Sequence, residues 1–256
     1  MQKKICGIVG YPLKKPRSVP IWKNFFKKNN INASMKKFEV SNNKINSFVK
    51  FMKYDQNFLA TAITMPYKIS LIKNVKLVDE YAKYAKSINL IVKIKKKLYG
   101  YNTDVFGAML SIKNEIKLNK LVLIIGIGGT GKAIFNYLKK KYANKKFVLI
   151  SKKKFKKEKN IEVLKNLDKN ILKNKMLIIN CTPLGSSLKK TFVKKSPIPN
   201  NLVKYINKKS FIFDIVYSPR ITMLNKYCKS HKLNYRNGLL MNTMQAKKAL
   251  KIVFNK

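Results

Sequence analysis

Asp104 closes the run Gly100-Tyr101-Asn102-Thr103-Asp104, 22 residues before the glycine-rich turn Gly126-Ile127-Gly128-Gly129-Thr130-Gly131, and is one of ten carboxylates among 256 residues. Upstream, Lys68 follows the turn-forming Pro66 in Thr64-Met65-Pro66-Tyr67-Lys68. A carboxylate within hydrogen-bond reach of a lysine orients its ammonium as a proton donor. Asp is equally suited to the N-cap of a following helix, and a lysine here can be one more solvated charge. The residues alone leave these readings open. The G-x-G-x-x-G pattern follows an apolar, strand-like run and opens a helical one. In that context the glycines permit a tight turn, close approach of a pyrophosphate and close helix packing; a tight turn without a ligand is the alternative. An acid–base pair and a nucleotide turn in one chain indicate a cofactor-dependent enzyme.

The elements that must position these groups alternate short apolar runs with helical stretches, as in α/β folds. Strands are expected at Ile5 to Val9 and Leu59 to Ile63, and helices at Val19 to Asn29 and Leu77 to Ala85, the latter with Asp79 and Glu80 at its centre. Ile88 to Ile94 and Leu98 to Tyr101 read as a hairpin. A second unit begins near Asp104, with a helix at Val105 to Ile116, a central strand at Leu121 to Ile125 and a helix at Gly129 to Leu138. Further strands are expected at Phe147 to Ile150, Met176 to Asn180 and Phe211 to Ile215, a doubly wound arrangement. A last helix, Leu239 to Val253, is free to return to the first unit.

Composition narrows the function classes. His231 is the sole histidine, which argues against a histidine-based metal site or a Ser-His-Asp triad. No metal is expected. Cys6, Cys181 and Cys228 are odd in number and widely spaced, so neither a disulfide framework nor a zinc site is indicated, and a reducing cytoplasm is the expected setting. No apolar run approaches the ~18 residues of a membrane span. Pro12 and lysines follow the apolar start without a cleavage signal, so Ile5 to Val9 reads as a buried strand.

The formal charge of +47 invites a nucleic-acid reading. Of the 57 basic residues, however, only Arg17, Arg220 and Arg236 are arginines, and the lysines run along the whole chain. Readers of nucleic acid lean on the planar arginine fork. A compositional origin is favoured, with salt-sensitive adhesion to polyanions as a side effect. Ser151-Lys152-Lys153-Lys154 stands at the end of the second strand of the nucleotide unit, where a carboxylate would bind the ribose of NAD and a cation the 2′-phosphate of NADP. It favours NADP, although lysine is abundant everywhere in this chain.

In its motifs the chain resembles the shikimate dehydrogenase family along essentially its whole length. Gly10-Tyr11-Pro12-Leu13 with Ser18 is similar to the family's G-x-P-[IL]-x-H-S-x-S, and Ile63-Thr64-Met65-Pro66-Tyr67-Lys68 to N-V-T-x-P-x-K. Ser87-Ile88-Asn89 resembles G-A-x-N-T, and Gly100 to Asp104 with Gly107 matches G-x-N-T-D-x-x-G. Gly126 to Ala133, Asn180 to Gly185, Asp214 to Pro219 with Thr222, and Gly238 to Ala246 resemble the remaining signatures in order.

The resemblance implies NADPH-dependent, reversible reduction of 3-dehydroshikimate to shikimate on the route to aromatic amino acids. It implies Lys68 and Asp104 as the catalytic pair. Ser18, Thr64, Lys68, Asn89, Asp104, Tyr217 and Gln245 would hold the substrate. Gly126, Gly128, Gly129, Thr130, Gly131, Ser151, Lys152, Lys153, Thr182, Ile215, Gly238 and Met241 would hold the nucleotide. Departures from the family pattern are Lys15, Pro16, Ala62, Leu90 and Ser186, which bear on affinity more than chemistry. The expected architecture is a small α/β substrate domain, residues 1–103 plus 239–256, with a Rossmann-type doubly wound NADP domain, residues 104–238, and a cleft between them. A monomer or homodimer acting on a small molecule is expected, without a membrane or a specific nucleic-acid partner. Two rivals remain: a quinate-accepting relative with relaxed cofactor use, and a non-catalytic basic protein that binds nucleic acid.

Overall fold

Alternation along β1 (Lys4–Gly10) organises the first unit. Cys6 and Ile8 face a cluster built on Trp22, Phe26, Leu90, Ala249 and Leu250, whereas Val9 joins Phe48, Met52, Phe58 and Ile91 on the opposite face. A strand's period of two sends successive side chains to opposite faces, so this sheet is buried on both. Its other strands are β2 (Ala33–Glu39), β3 (Phe58–Ile63), β4 (Lys76–Leu77), β5 (Leu90–Ile94) and β6 (Lys97–Tyr101). They run in the order β2-β1-β3-β5-β6-β4. Helix Ser18–Lys28 lays Trp22 and Phe26 on one face, where Phe254 meets Phe26 edge-on at 5.5 Å. Each such buried side chain contributes about 1.5–3 kcal/mol. Helix Ile45–Tyr54 covers the other face with Phe48 and Met52.

The computed structural model describes residues 2–13, 16–152 and 158–255. Residues up to Val105, together with those from Met244 onward, form one compact unit, and Phe106–Thr243 form the other.

In the second unit β7 (Leu121–Ile125), β8 (Lys146–Ile150), β9 (Ile161–Leu164), β10 (Leu177–Asn180), β11 (Phe211–Asp214) and β12 (Asn234–Asn237) pair in parallel throughout. The order β12-β11-β10-β7-β8-β9, counted from β7, is 3-2-1-4-5-6, the doubly wound order of dinucleotide-binding sheets. The winding reverses between β7 and β10. Ligands of such sheets bind outside the carboxyl ends of the strands at that reversal, and here those ends lead into Gly126 and Thr182.

One expected element changes character. Leu77 ends the short strand β4, and the helix runs only from Glu80 to Ala85 because Asp79 caps it, its Oδ1 accepting from the Ala82 N–H at 2.8 Å. The two carboxylates therefore sit at the helix start, where the dipole favours them, and not at its centre.

Candidate active site

Lys68 lies in the short helix Tyr67–Ser70 that follows β3, and Asp104 is the second residue of helix Thr103–Leu118. Lys68 Nζ donates to Asp104 Oδ2 at 2.6 Å. The two side chains are 25% and 22% exposed, sheltered enough to hold a geometry yet open to water. The lysine's backbone is anchored by the Ile88 N–H, which donates to its carbonyl at 2.8 Å. Capping of the Asp104 helix falls to Asn102, whose Oδ1 accepts from the Val105 N–H at 3.0 Å and whose Nδ2 donates to the Ser87 carbonyl at 2.8 Å. Asp104 is thereby left to the lysine.

Beside this pair lies a polar group centred on Thr103, a residue that sequence reasoning passed over. Its N–H donates to Asn89 Oδ1 at 2.7 Å, and its hydroxyl accepts from Asn89 Nδ2 at 2.9 Å. The same hydroxyl lies 3.4 Å from Gln245 Oε1. Asn89 is fixed by its backbone too, donating to the Tyr101 carbonyl and accepting from the Ile63 N–H. Thr103 is fully buried, so it orients two other side chains instead of meeting solvent. The available signal was its place inside an unbroken polar triplet at a helix start.

Ser18 opens helix Ser18–Lys28, and its Oγ is buried with no partner among the described residues. An orphaned hydroxyl costs about 1–3 kcal/mol, which a bound acceptor would recover. Thr64 follows β3, its N–H donating to the Val9 carbonyl, and its methyl would lie 2.4 Å from a Cβ at Gly10. Tyr217 belongs to the second unit, in the segment after β11, whereas Ser18, Thr64, Lys68, Asn89, Asp104 and Gln245 belong to the first. Two departures from the family pattern turn out to be packing positions. Ala62 and Leu90 pair across β3 and β5 and join the Trp22 cluster.

The glycine turn separates into positions that the fold requires and positions that it does not. Gly126 has φ of +90°, and a Cβ there would sit 2.5 Å from Thr182 Cγ2. A Cβ on Gly131 would sit 2.0 Å from the Gly126 carbonyl oxygen. Gly128 and Gly129 meet nothing within 4 Å, so packing does not explain their missing side chains. Helix Gly129–Lys141 starts there without a side-chain cap or an acidic first turn, and Thr130 sits in that turn. Free N–H groups at such a terminus attract an anion.

Ser151 and Lys152 directly follow β8, with Lys152 exposed. Lys153 and Lys15 lie outside the described residues. Thr182 is held by Asn180, whose Oδ1 accepts from the Thr182 N–H at 2.9 Å and hydroxyl at 2.8 Å. Gly238 approaches Ile215 so closely that a Cβ would sit 2.1 Å from the Ile215 carbonyl oxygen. Met241 is buried in helix Leu239–Phe254, one turn before Gln245 on the same face.

Fold and site together define the class: an α/β protein with a Rossmann-type unit and, in its other unit, a lysine–carboxylate pair beside oriented amides. Residues 8–91 match a family model described as the shikimate dehydrogenase substrate binding domain. The shikimate dehydrogenase (NADP(+)) of Clostridium botulinum (strain 657 / Type Ba4) is 31% identical over 250 residues, spanning 95% of this chain and 94% of that relative. The chain belongs to the shikimate dehydrogenase family. The Pyrococcus furiosus relative of the same name is 30% identical over 258 residues, spanning 98% and 90%. Among solved structures, a chorismate mutase/shikimate 5-dehydrogenase fusion protein from Clostridium acetobutylicum matches with a TM-score of 0.83 and 26% identity, over 100% of this chain and 92% of that one.

Proposed function

We propose that this chain catalyses the reversible, NADPH-dependent reduction of 3-dehydroshikimate to shikimate in aromatic amino-acid biosynthesis. The observation that carries the reading is the 2.6 Å contact of Lys68 with Asp104, next to the Asn89–Thr103–Gln245 group, in a member of this family.

NADPH, held at the glycine turn of residues 126–131, would supply a hydride to the carbonyl carbon. The carbonyl π pair then resides on oxygen, and Lys68 delivers a proton from its ammonium to that alkoxide. Asp104 aims the ammonium through a charge-assisted bond. In the oxidative direction the neutral amine takes the hydroxyl proton back. Water reaches both side chains, which allows the lysine to recover its proton after each turnover. Asn89 and Gln245, steadied by Thr103, meet the ring hydroxyls together with Thr64. Ser18 and Tyr217 meet the carboxylate.

The residues fit NADPH. Gly128 and Gly129 leave the approach to a helix N-terminus clear for the pyrophosphate, with Gly126, Thr130 and Gly131 shaping the turn. Ser151, Lys152 and Lys153 follow the second strand of the unit, where a 2′-phosphate is met. Thr182, Ile215, Gly238 and Met241 complete the nucleotide set. The unit of residues up to Val105 with those from Met244 onward serves as the substrate domain, and Phe106–Thr243 as the NADP domain. The enzyme works in the cytoplasm as a monomer or homodimer without a dedicated nucleic-acid partner. Three buried free cysteines support a reducing compartment, and among the described residues no helix is long and apolar enough to cross a membrane.

The test is the absorbance of NADPH at 340 nm with 3-dehydroshikimate, beside an NADH control. Consumption that requires both reactants is expected, faster with NADPH. A folded protein that binds NADPH but turns nothing over would overturn the reading.

A further inference from the structure

The second unit buries a carboxylate that neither the catalytic nor the binding set uses. Asp214 ends β11 and is wholly inaccessible to solvent. Its Oδ1 accepts from Asn180 Nδ2 at 2.8 Å and from the Val216 N–H at 3.0 Å. Its Oδ2 accepts from the Tyr235 hydroxyl at 3.0 Å and lies 3.4 Å from the Thr222 hydroxyl. One side chain therefore ties together the ends of β10 and β11, a residue of β12, and Thr222, whose hydroxyl caps helix Met223–Ser230.

Burying a carboxylate is costly, and an apolar side chain would serve a purely structural role at least as well. What the carboxylate adds is a stiff, charge-assisted hold on its neighbours. The neighbour that matters is Asn180. With Nδ2 held by Asp214, its amide cannot flip, and Oδ1 stays aimed at both donors of Thr182. The Thr182 methyl in turn lies against Gly126, the first glycine of the turn.

We propose that Asp214 is a positioning residue for the nucleotide site, acting through Asn180 on Thr182 and through Thr182 on the glycine turn. The inference rests on the nucleotide reading above. Its range is limited to the ends of β7, β10 and β11, beside the reversal of the winding between β7 and β10.

The test compares wild type with Asp214→Asn, Tyr235→Phe and, as a control, Val203→Ala, which trims a buried core residue of the same unit. NADPH affinity is read by fluorescence titration, KM and kcat by steady-state kinetics, and folding by thermal melting. Asp214→Asn is expected to weaken NADPH about tenfold, the scale of losing a hydrogen bond to a charged group. KM for NADPH should rise in proportion, while kcat at saturation and KM for 3-dehydroshikimate stay within about twofold. Tyr235→Phe should shift the same parameters in the same direction by less, and Val203→Ala should lower melting temperature without touching NADPH affinity. A folded Asp214→Asn that binds NADPH within twofold of wild type overturns the proposal, as does an equal loss in Val203→Ala. If Asp214→Asn fails to fold, Tyr235→Phe decides, and unchanged affinity there overturns it. Wild type that does not bind NADPH at all removes the nucleotide reading itself, a result distinct from the others.

Discussion

Replacing Lys68 with methionine keeps the aliphatic stem and deletes the one atom that meets Asp104 Oδ2, 2.6 Å away. The two consequences differ in size by enough to separate them. For stability, a partly exposed ion pair is worth about 0.2–1 kcal/mol after solvent screening, and the orphaned Asp104, 22% exposed, keeps contact with water. In a chain of this length 1 kcal/mol moves the melting temperature by roughly 2–4 °C, so Lys68→Met should melt within about 4 °C of wild type. For chemistry, loss of the general acid should slow turnover by roughly 10²–10⁴, equivalent to about 2.7–5.4 kcal/mol of barrier. The assay is NADPH consumption at saturating 3-dehydroshikimate beside a melting curve of the same preparation. Asp104→Asn should fall between, losing roughly 10–100-fold, because an amide oxygen still accepts from the ammonium but without the charge. Lys68→Met turning over within tenfold of wild type would refute the assignment. A drop in melting temperature beyond about 10 °C would refute the view that the pair is spared a structural duty.

Gly128→Ala should leave the melting temperature of the unliganded protein within about 2 °C, since φ there is −78° and open space surrounds the site, yet weaken NADPH at least tenfold. Gly131→Ala, facing a carbonyl oxygen at 2.0 Å, should instead lose at least about 1–3 kcal/mol of stability; equal melting of the two variants would contradict the division. Asp79 has its pKa raised from 3.8, chiefly by burial against two backbone hydrogen bonds that lower it. The folded state therefore holds that proton more tightly than the unfolded chain does. Its contribution makes stability fall as pH rises from about 4 toward the raised folded value, and Asp79→Asn should flatten melting temperature against pH over that window. An unchanged profile would count against it. With +47 spread over the chain, added salt should raise the melting temperature by screening self-repulsion, and a flat salt series would exclude that source of strain.

Every strand expected from the sequence is an interior strand: β1, β3, β5 and β6 in one sheet, and β7, β8, β10 and β11 in the other. The four that escaped, β2, β4, β9 and β12, are the four edges. An interior strand of a doubly covered sheet reads as a near-continuous apolar run, as Leu121–Ile125 does, and such runs are legible. An edge strand such as Ala33–Glu39 or Asn234–Asn237 carries lysine, arginine and asparagine, and it becomes a strand because a neighbour offers its ladder. The glycine spacing likewise stood in the sequence, because chain geometry alone demands glycine at Gly126, where φ is +90°.

The amino-acid order thus determined the α/β class, the nucleotide turn, and the candidates Lys68 and Asp104. Tertiary structure decided what those residues do to one another. Lys68 and Asp104 stand 36 positions apart, and Thr103 and Gln245 stand 142 apart. Whether Asp104 capped its own helix or faced the lysine turned on Asn102 taking the cap. Whether Leu90 altered a binding site or filled a core turned on which face of β5 it occupied. Sequence periodicity reports only which residues avoid water along one element. Contacts across elements are set by the register and packing of the whole sheet, and that information exists only once the chain has folded.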